Sequence, residues 1–429
     1  MNRFSFANKI AVVFIVSIVL IMVAFLPAHA EEKPVAVAPA EIRSTAIKPS
    51  SAEATVTMPL PEKQINRHTL GCVLPLSGPY AEWGDKARDA ILLAMAAVNE
   101  QNKPVWKVIF KDSQGLPEGT KTAIANLANT ENVMAVIAIT GTAEAMDAAS
   151  EANKYKVPLI LITPKEGVTS AGEYVFQNFL TPTQQIRAMV KYALDDLNCA
   201  IFSVLYPKDG YGEEILKIFR QEVIRVGGKL EKAIPYSKSQ TDFKEEIIKL
   251  TGTMVTAPQK KHDKQAENKT AIAIDFEALF IPDSPSRVKM IASQLDFYEV
   301  KGFQLLGTSL WHSPDLFKNS TASLEEAVFA DSFSANSFYA EATSFVDLYV
   351  MKYSREPENI EALAYDAAGI MINVLNNPEI KTRGQFVAAL KKVENYKGAT
   401  GIISFNADRV SQKTPFILKV KKGKFEQVK

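Results

Sequence analysis

The side chains able to do chemistry in this chain are hydroxyls, a few aromatic rings and isolated carboxylates, and their spacing suits holding a ligand better than breaking a bond. The four histidines, His29, His68, His262 and His312, are scattered and form no HExxH or other paired-ligand spacing, so no metal site is expected. Walker loops and GxSxG elbows are absent from the sequence. Gly210-Tyr211-Gly212 opens like a dinucleotide fingerprint, but Ile215 stands where the third glycine has to let helix and strand approach. Ser286-Arg287-Val288-Lys289 has the SxxK spacing of a serine nucleophile and its lysine, without the SDN and KTG segments that complete such a site. The chain therefore reads as a protein that is not an enzyme and carries no cofactor.

What recurs instead is a hydroxyl or glycine just beyond an apolar run. Ser77-Gly78-Pro79-Tyr80 follows one such run, Thr140-Gly141-Thr142-Ala143-Glu144 a second and Thr163-Pro164-Lys165-Glu166-Gly167 a third. If the runs are strands of an open α/β sheet, these positions lie outside their carboxyl ends, where helix N-termini and backbone N–H groups favour a negative group. Ser77, Thr142 and Thr163 could together hold a carboxylate. Each is also an ordinary cap or turn residue. Further along, Tyr206, Tyr211, Asp283 and Trp311 occupy equivalent places, and aromatic faces beside a carboxylate suit an ammonium-bearing or apolar small molecule.

The elements that position these residues alternate. Leu70–Leu76, Val105–Phe110, Val133–Thr140 and Pro158–Thr163 are strand-length and rich in Val and Ile, while Asp85–Asn99, Glu118–Asn129 and Ala143–Lys154 carry apolar residues at helical spacing. Continuous apolar strands between helices predict a parallel sheet covered on both faces. The pattern restarts after Thr181-Pro182, with strands at Ala200–Pro207, Leu230–Tyr236, Ala278–Pro282 and Phe303–Thr308 and helices at Gly212–Val226, Asp242–Leu250 and Ser286–Tyr298. A polar stretch at 251–270 reads as a surface insertion. Three helices follow, near Ser337–Tyr353, Ile360–Leu375 and Arg383–Val393, and then the apolar runs Gly401–Phe405 and Pro415–Val420.

At the N-terminus Arg3 and Lys9 precede an apolar run from Ile10 to Leu26, and Ala28-His29-Ala30 gives a small-x-small cleavage pattern, so residues 1–30 read as a signal peptide or, uncleaved, as an anchor. Either way the body is exported. Residues 31–66 contain Pro34, Pro39, Pro49, Pro59 and Pro61 and no aromatic residue, the composition of a linker. Charge is balanced, with 49 basic and 48 acidic residues, so no long-range field points to a nucleic-acid partner. Cys72 and Cys199 sit in apolar stretches and read as buried free thiols, although an oxidising compartment would permit a bridge.

Four segments, Leu74-Pro75-Leu76-Ser77-Gly78-Pro79-Tyr80-Ala81-Glu82-Trp83-Gly84, Asp209-Gly210-Tyr211-Gly212, Ala364-Tyr365-Asp366-Ala367 and Tyr396-Lys397-Gly398-Ala399-Thr400-Gly401, resemble type I periplasmic binding proteins of the leucine/isoleucine/valine-binding group. The resemblance runs from about His68 to Lys429. It implies an α/β fold of two Rossmann-like doubly wound lobes joined by a three-segment hinge, with 67–182 plus about 332–395 in lobe 1 and 183–331 plus about 396–429 in lobe 2. It also implies a periplasmic protein that binds an amino acid or similar small molecule between the lobes and serves the membrane permease of an ABC-type importer. The positions matching the family's site are Ser77, Tyr80, Thr142, Ala143, Thr163, Tyr206 or Tyr211, and Asp283. Lys165-Glu166 replaces the small neutral residues common in amino-acid binders, which puts a plain aliphatic amino acid in doubt. The stretches from Ala278 to Ser284 and from Leu305 to Trp311 also resemble penicillin-binding protein activators, which share the fold and act on a cell-wall synthase.

Overall fold

The computed structural model describes residues 64–99, 105–255, 272–318 and 322–429. The signal or anchor segment, the linker as far as residue 63 and most of the expected insertion lie outside the described residues.

Strands and helices alternate from the start: β1 (Asn66–Leu74), α1 (Ala81–Asn99), β2 (Lys107–Asp112), α2 (Pro117–Asn129), β3 (Val133–Ile139), α3 (Ala145–Lys154), β4 (Leu159–Ile162) and β5 (Val175–Gln177). They build a parallel sheet in the order β2-β1-β3-β4-β5. All seven residues of β3, VMAVIAI, are buried, as a central strand requires when helices cover both faces. The chain then forms α4 (Pro182–Asp195), β6 (Ile201–Pro207), α5 (Gly210–Arg225), β7 (Lys229–Tyr236), α6 (Lys244–Thr251), β8 (Ala278–Phe280), α7 (Pro285–Phe297), β9 (Gln304–Gly307) and β10 (Val328–Asp331). After β10 come α8 (Ala340–Tyr353), α9 (Asn359–Leu375), α10 (Arg383–Leu390), β11 (Tyr396–Gly398), β12 (Gly401–Phe405), β13 (Ser411–Gln412), β14 (Phe416–Lys421) and β15 (Lys424–Gln427). The second sheet runs β15-β14-β10-β9-β8-β6-β7, with β14 and β15 antiparallel at one edge.

Side-chain packing decides which segment serves which sheet. The core of the first lobe gathers Leu70, Ile137 and Ile160 from its sheet with Phe345, Ala364, Ile370 and Phe386 from α8, α9 and α10. Ile403 and Phe405 of β12 belong to this core too, and the Phe405 ring meets Phe176 edge-on at 5.1 Å. Leu418 and Val420 of β14 instead join Trp311 and Phe329 in the second lobe. The chain thus crosses between lobes after β5, after β10 and after β13. The last crossing differs from the sequence reading, which divides the lobes near 396, because an apolar run such as Gly401–Phe405 does not disclose which of two cores receives it.

The two lobes begin with the same device. Gly84 in the first turn of α1 presses on the end of β1, where a Cβ would lie 2.1 Å from the Pro75 carbonyl oxygen. Gly212 in the first turn of α5 repeats this against β6, at 1.9 Å from the Pro207 oxygen. Gly212 therefore serves close helix–strand packing, while Gly210 meets no atom within 4 Å of a Cβ position, and Asp209 caps the helix by accepting the Gly212 N–H at 2.9 Å.

Candidate functional site

In the first lobe, the loops after β1 and β2 are locked together by one carboxylate. Asp112 accepts the Leu76 N–H and the Gln114 N–H, each at 2.8 Å, and the Ser77 hydroxyl at 2.6 Å. Partial burial alone would raise its carboxyl, but these donors hold it below the usual range. Gly78 takes φ +80° to make the turn, and Tyr80 lies over Gly115 with its ring 5.9 Å from that of Trp83. Both rings are about half exposed, Tyr80 at 49% and Trp83 at 54%, so this loop offers aromatic faces to solvent.

The loops after β3 and β4 meet through Thr163, whose buried hydroxyl donates to the Gly141 carbonyl at 3.1 Å and accepts the Lys165 N–H at 3.3 Å. Glu144 turns back to accept the Gly141 N–H at 3.3 Å. Thr142 and Ala143 stand exposed at the tip, and the Thr142 hydroxyl makes no hydrogen bond among the described residues. Beneath them Thr140 keeps a buried hydroxyl with no hydrogen-bond partner. Of the three hydroxyls expected to hold a carboxylate, Ser77 and Thr163 already donate their single proton inside the protein, and only Thr142 is free to give one.

In the second lobe Asp283, just beyond β8, accepts the Tyr236 hydroxyl at 2.7 Å and the Ser284 N–H at 2.6 Å. Burial first, and the Asp283 charge second, push the Tyr236 hydroxyl far up, so it stays a donor. Tyr211 leaves two-fifths of its surface exposed, yet its hydroxyl turns inward beside Thr308, near the Asp283 and Asp209 carboxylates. Burial pushes it up to about 12. Asp283 retains acceptor capacity, and with Tyr211 it forms a polar corner suited to an ammonium or hydroxyl.

Two expected ligand contacts are core residues. Trp311 is fully buried, donates its indole N–H to the Ile281 carbonyl at 3.2 Å and packs against Gly307, where a Cβ would lie 2.2 Å from its ring. Tyr206 is 7% exposed among the apolar side chains between β6 and α5. An aromatic residue at a strand end in sequence can point to either face of the sheet, and here both rings fill the core. The sequence reading also passed over Asp112, Tyr236 and Thr308.

Glu166 has a structural task as well. It accepts the Thr183 N–H at 2.9 Å and the Thr183 hydroxyl at 3.0 Å, neutralising the N-terminus of α4 across the first crossing. The helix itself was legible in principle, since Thr181 and Gln184 form a capping box around Pro182. Lys289 does not serve Ser286; its ammonium donates to the carbonyls of Asp315 and Lys318. Cys72 and Cys199 are buried free thiols. Among the described residues no group of His, Cys, Asp or Glu is placed to hold a metal ion, and no helix is long and apolar enough to cross a membrane.

Two doubly wound lobes, crossed three times by one chain and each presenting polar loops at strand carboxyl ends, define a two-lobed binding-protein fold. The chain belongs to the periplasmic binding protein family, whose model matches residues 68–424. A curated relative, Leu/Ile/Val-binding protein homolog 3 of Brucella melitensis, is 26% identical over 168 residues, which is 37% of this chain and 44% of that protein. The chain thus spans less than half the length of this relative. Among solved structures, the branched-chain amino acid transporter substrate-binding protein LivJ of Streptococcus pneumoniae, in complex with isoleucine, is similar with a TM-score of 0.62 and 23% identity, over 85% of this chain and 98% of that one. A solute-binding protein of Rhodopseudomonas palustris in complex with 3,4-dihydroxybenzoic acid has a TM-score of 0.63 at 20% identity, over 84% of this chain and 95% of that one.

Proposed function

We propose that this protein is an extracytoplasmic solute-binding protein that delivers an amino acid or similar small polar ligand to the permease of an ABC-type importer. The reading is supported by the presence of one polar corner of unlike character at strand carboxyl ends in each lobe. The first lobe offers the free Thr142 hydroxyl at a helix N-terminus, suited to a carboxylate, and the second offers Asp283 with Tyr211, suited to an ammonium. The half-exposed rings of Tyr80 and Trp83 would meet the apolar part of such a ligand. Glu166 is committed to α4, which removes one of the two charges beside Thr163, and the relatives named above are in complex with isoleucine and an aromatic carboxylate.

Calorimetry and thermal melts with leucine, isoleucine, valine and 3,4-dihydroxybenzoate test this. A true ligand at a hundred times its Kd stabilises the fold by about 2.7 kcal/mol. Thr142→Ala and Asp283→Asn should each weaken binding at least tenfold, since the first removes a hydrogen bond to a charged group, roughly 1.5–3 kcal/mol, and the second exchanges a carboxylate acceptor for a neutral amide. No shift with any amino acid or small carboxylate, together with specific capture of a cell-wall synthase, would overturn the proposal.

A further inference from the structure

At the second crossing, the last residue of β10 ties the lobes together. Asp331 is 2% exposed; its Oδ2 lies 2.7 Å from Nδ1 of His312, while its Oδ1 accepts the Ser332 N–H at 2.6 Å and the Asn359 side-chain N–H at 2.5 Å. The Ser332 hydroxyl completes the ring by donating to Oδ1 of Asn359 at 2.8 Å. His312 belongs to the second lobe, just beyond β9, whereas Asn359 is the first residue of α9, which packs on the first. One buried carboxylate is therefore held from both lobes at the point where the chain passes between them.

A buried carboxylate persists only while its partners are in place. One of these partners is an imidazole, the side chain that ordinarily changes charge between pH 5 and 8. The His312 side chain is 21% exposed, so protons reach it. Its ring is flanked by Phe425, edge-on at 4.8 Å, and by Phe329 at 5.7 Å. Of the charges on the neighbouring elements, Glu426 pairs with Lys421, Asp315 with Lys318, Glu358 with Lys86 and Glu361 with Arg355, while Lys424 and Glu356 form no ion pair among the described residues. Among the described residues, Asp331 is the only charge at ion-pair distance from the imidazole.

We propose that His312, Asp331 and Asn359 form a proton-operated tie across the second crossing, which sets how far the lobes open. With His312 charged, the ion pair holds Asp331 and, through it, α9 in the arrangement seen here; with His312 neutral, the hold loosens and the lobes sample a wider range. The proposal rests on the two-lobed architecture and not on any ligand, so its test is read on the ligand-free protein. A protein that bound no leucine would leave the outcome unaffected.

Small-angle scattering of the ligand-free protein at pH 5 and pH 8 should give two different radii of gyration. That difference should vanish in His312→Gln. In Asn359→Ala, which leaves the ion pair intact and cuts only its link to the first lobe, the radius should also stop responding to pH while the His312 ring still titrates by NMR. A wild-type radius that does not change with pH, or a change that persists in His312→Gln or Asn359→Ala, would refute the tie.

Discussion

At the third crossing a residue outside every expected site carries an unusual burden. Lys413 is buried and donates to the Thr400 hydroxyl at 2.8 Å, which donates in turn to Asp366 at 2.6 Å; Asp366 also accepts the Ala399 and Thr400 N–H groups. Burial lowers the Lys413 ammonium to about 8, the nearby Asp366 charge offsetting only part of the effect. Between about 8 and the ordinary 10.5, the unfolded chain carries a proton that the folded one has lost, so this group makes stability rise with pH across that window. Denaturant melts should therefore show the difference between wild type and Lys413→Met growing in favour of wild type from pH 8 to 10. At pH 7 that variant should lose about 3–5 kcal/mol by leaving Asp366 without its cation, and Lys413→Met with Asp366→Asn should lose less. Equal losses in the single and double variants would show that the charge pairing is not what matters. The sequence displayed Asp366 and Thr400 within family-like segments, but nothing in Gln412-Lys413-Thr414 marks a lysine that will be buried.

At the level of elements, the first strand of each sheet in chain order leads through a turn into a helix whose first turn carries a glycine pressed to a proline carbonyl. Replacing Gly212 by Ala should destabilise the protein by roughly 1–3 kcal/mol, the cost of forcing a methyl into packed backbone. Gly210→Ala, where no atom lies within 4 Å of the added Cβ, should stay within about 0.5 kcal/mol of wild type in the same urea titration. Such elements were largely readable, because apolar runs bounded by Gly, Pro and Ser mark strands and helical spacing marks the cover. The short β5 and β13 and the capped helix α4 were not picked out. Three-residue and two-residue strands leave no periodicity to detect, and they exist here because a neighbouring strand or the Gln177–Val410 bridge supplies their partners.

For the whole molecule, the three crossings each hold a polar contact: Glu166 with Thr183, Asp331 with His312 and Asn359, and Lys413 with Thr400 and Asp366. Hinge closure concentrates its φ/ψ changes in a few residues at element ends, and these contacts lie there. Saturating ligand should therefore reduce the radius of gyration, as the Thr142 and Asp283 corners converge on one molecule. Tight binding without any compaction would place the ligand on one lobe alone.

The sequence by itself determined the repeated α/β pattern, the two lobes and the strand-end positions where Ser77, Thr142, Thr163, Tyr211 and Asp283 stand, because these follow from local periodicity and turn chemistry. Only the tertiary structure decided what each of those side chains is free to do. Whether a hydroxyl is spent, as Ser77 is on Asp112 and Thr163 is on Gly141, depends on partners 35 and 22 residues away. Whether an aromatic ring stays partly exposed or fills a core, as with Tyr211 against Trp311 and Tyr206, depends on which face of the sheet its strand presents. Both are properties of packing between distant segments, and no local spacing encodes them.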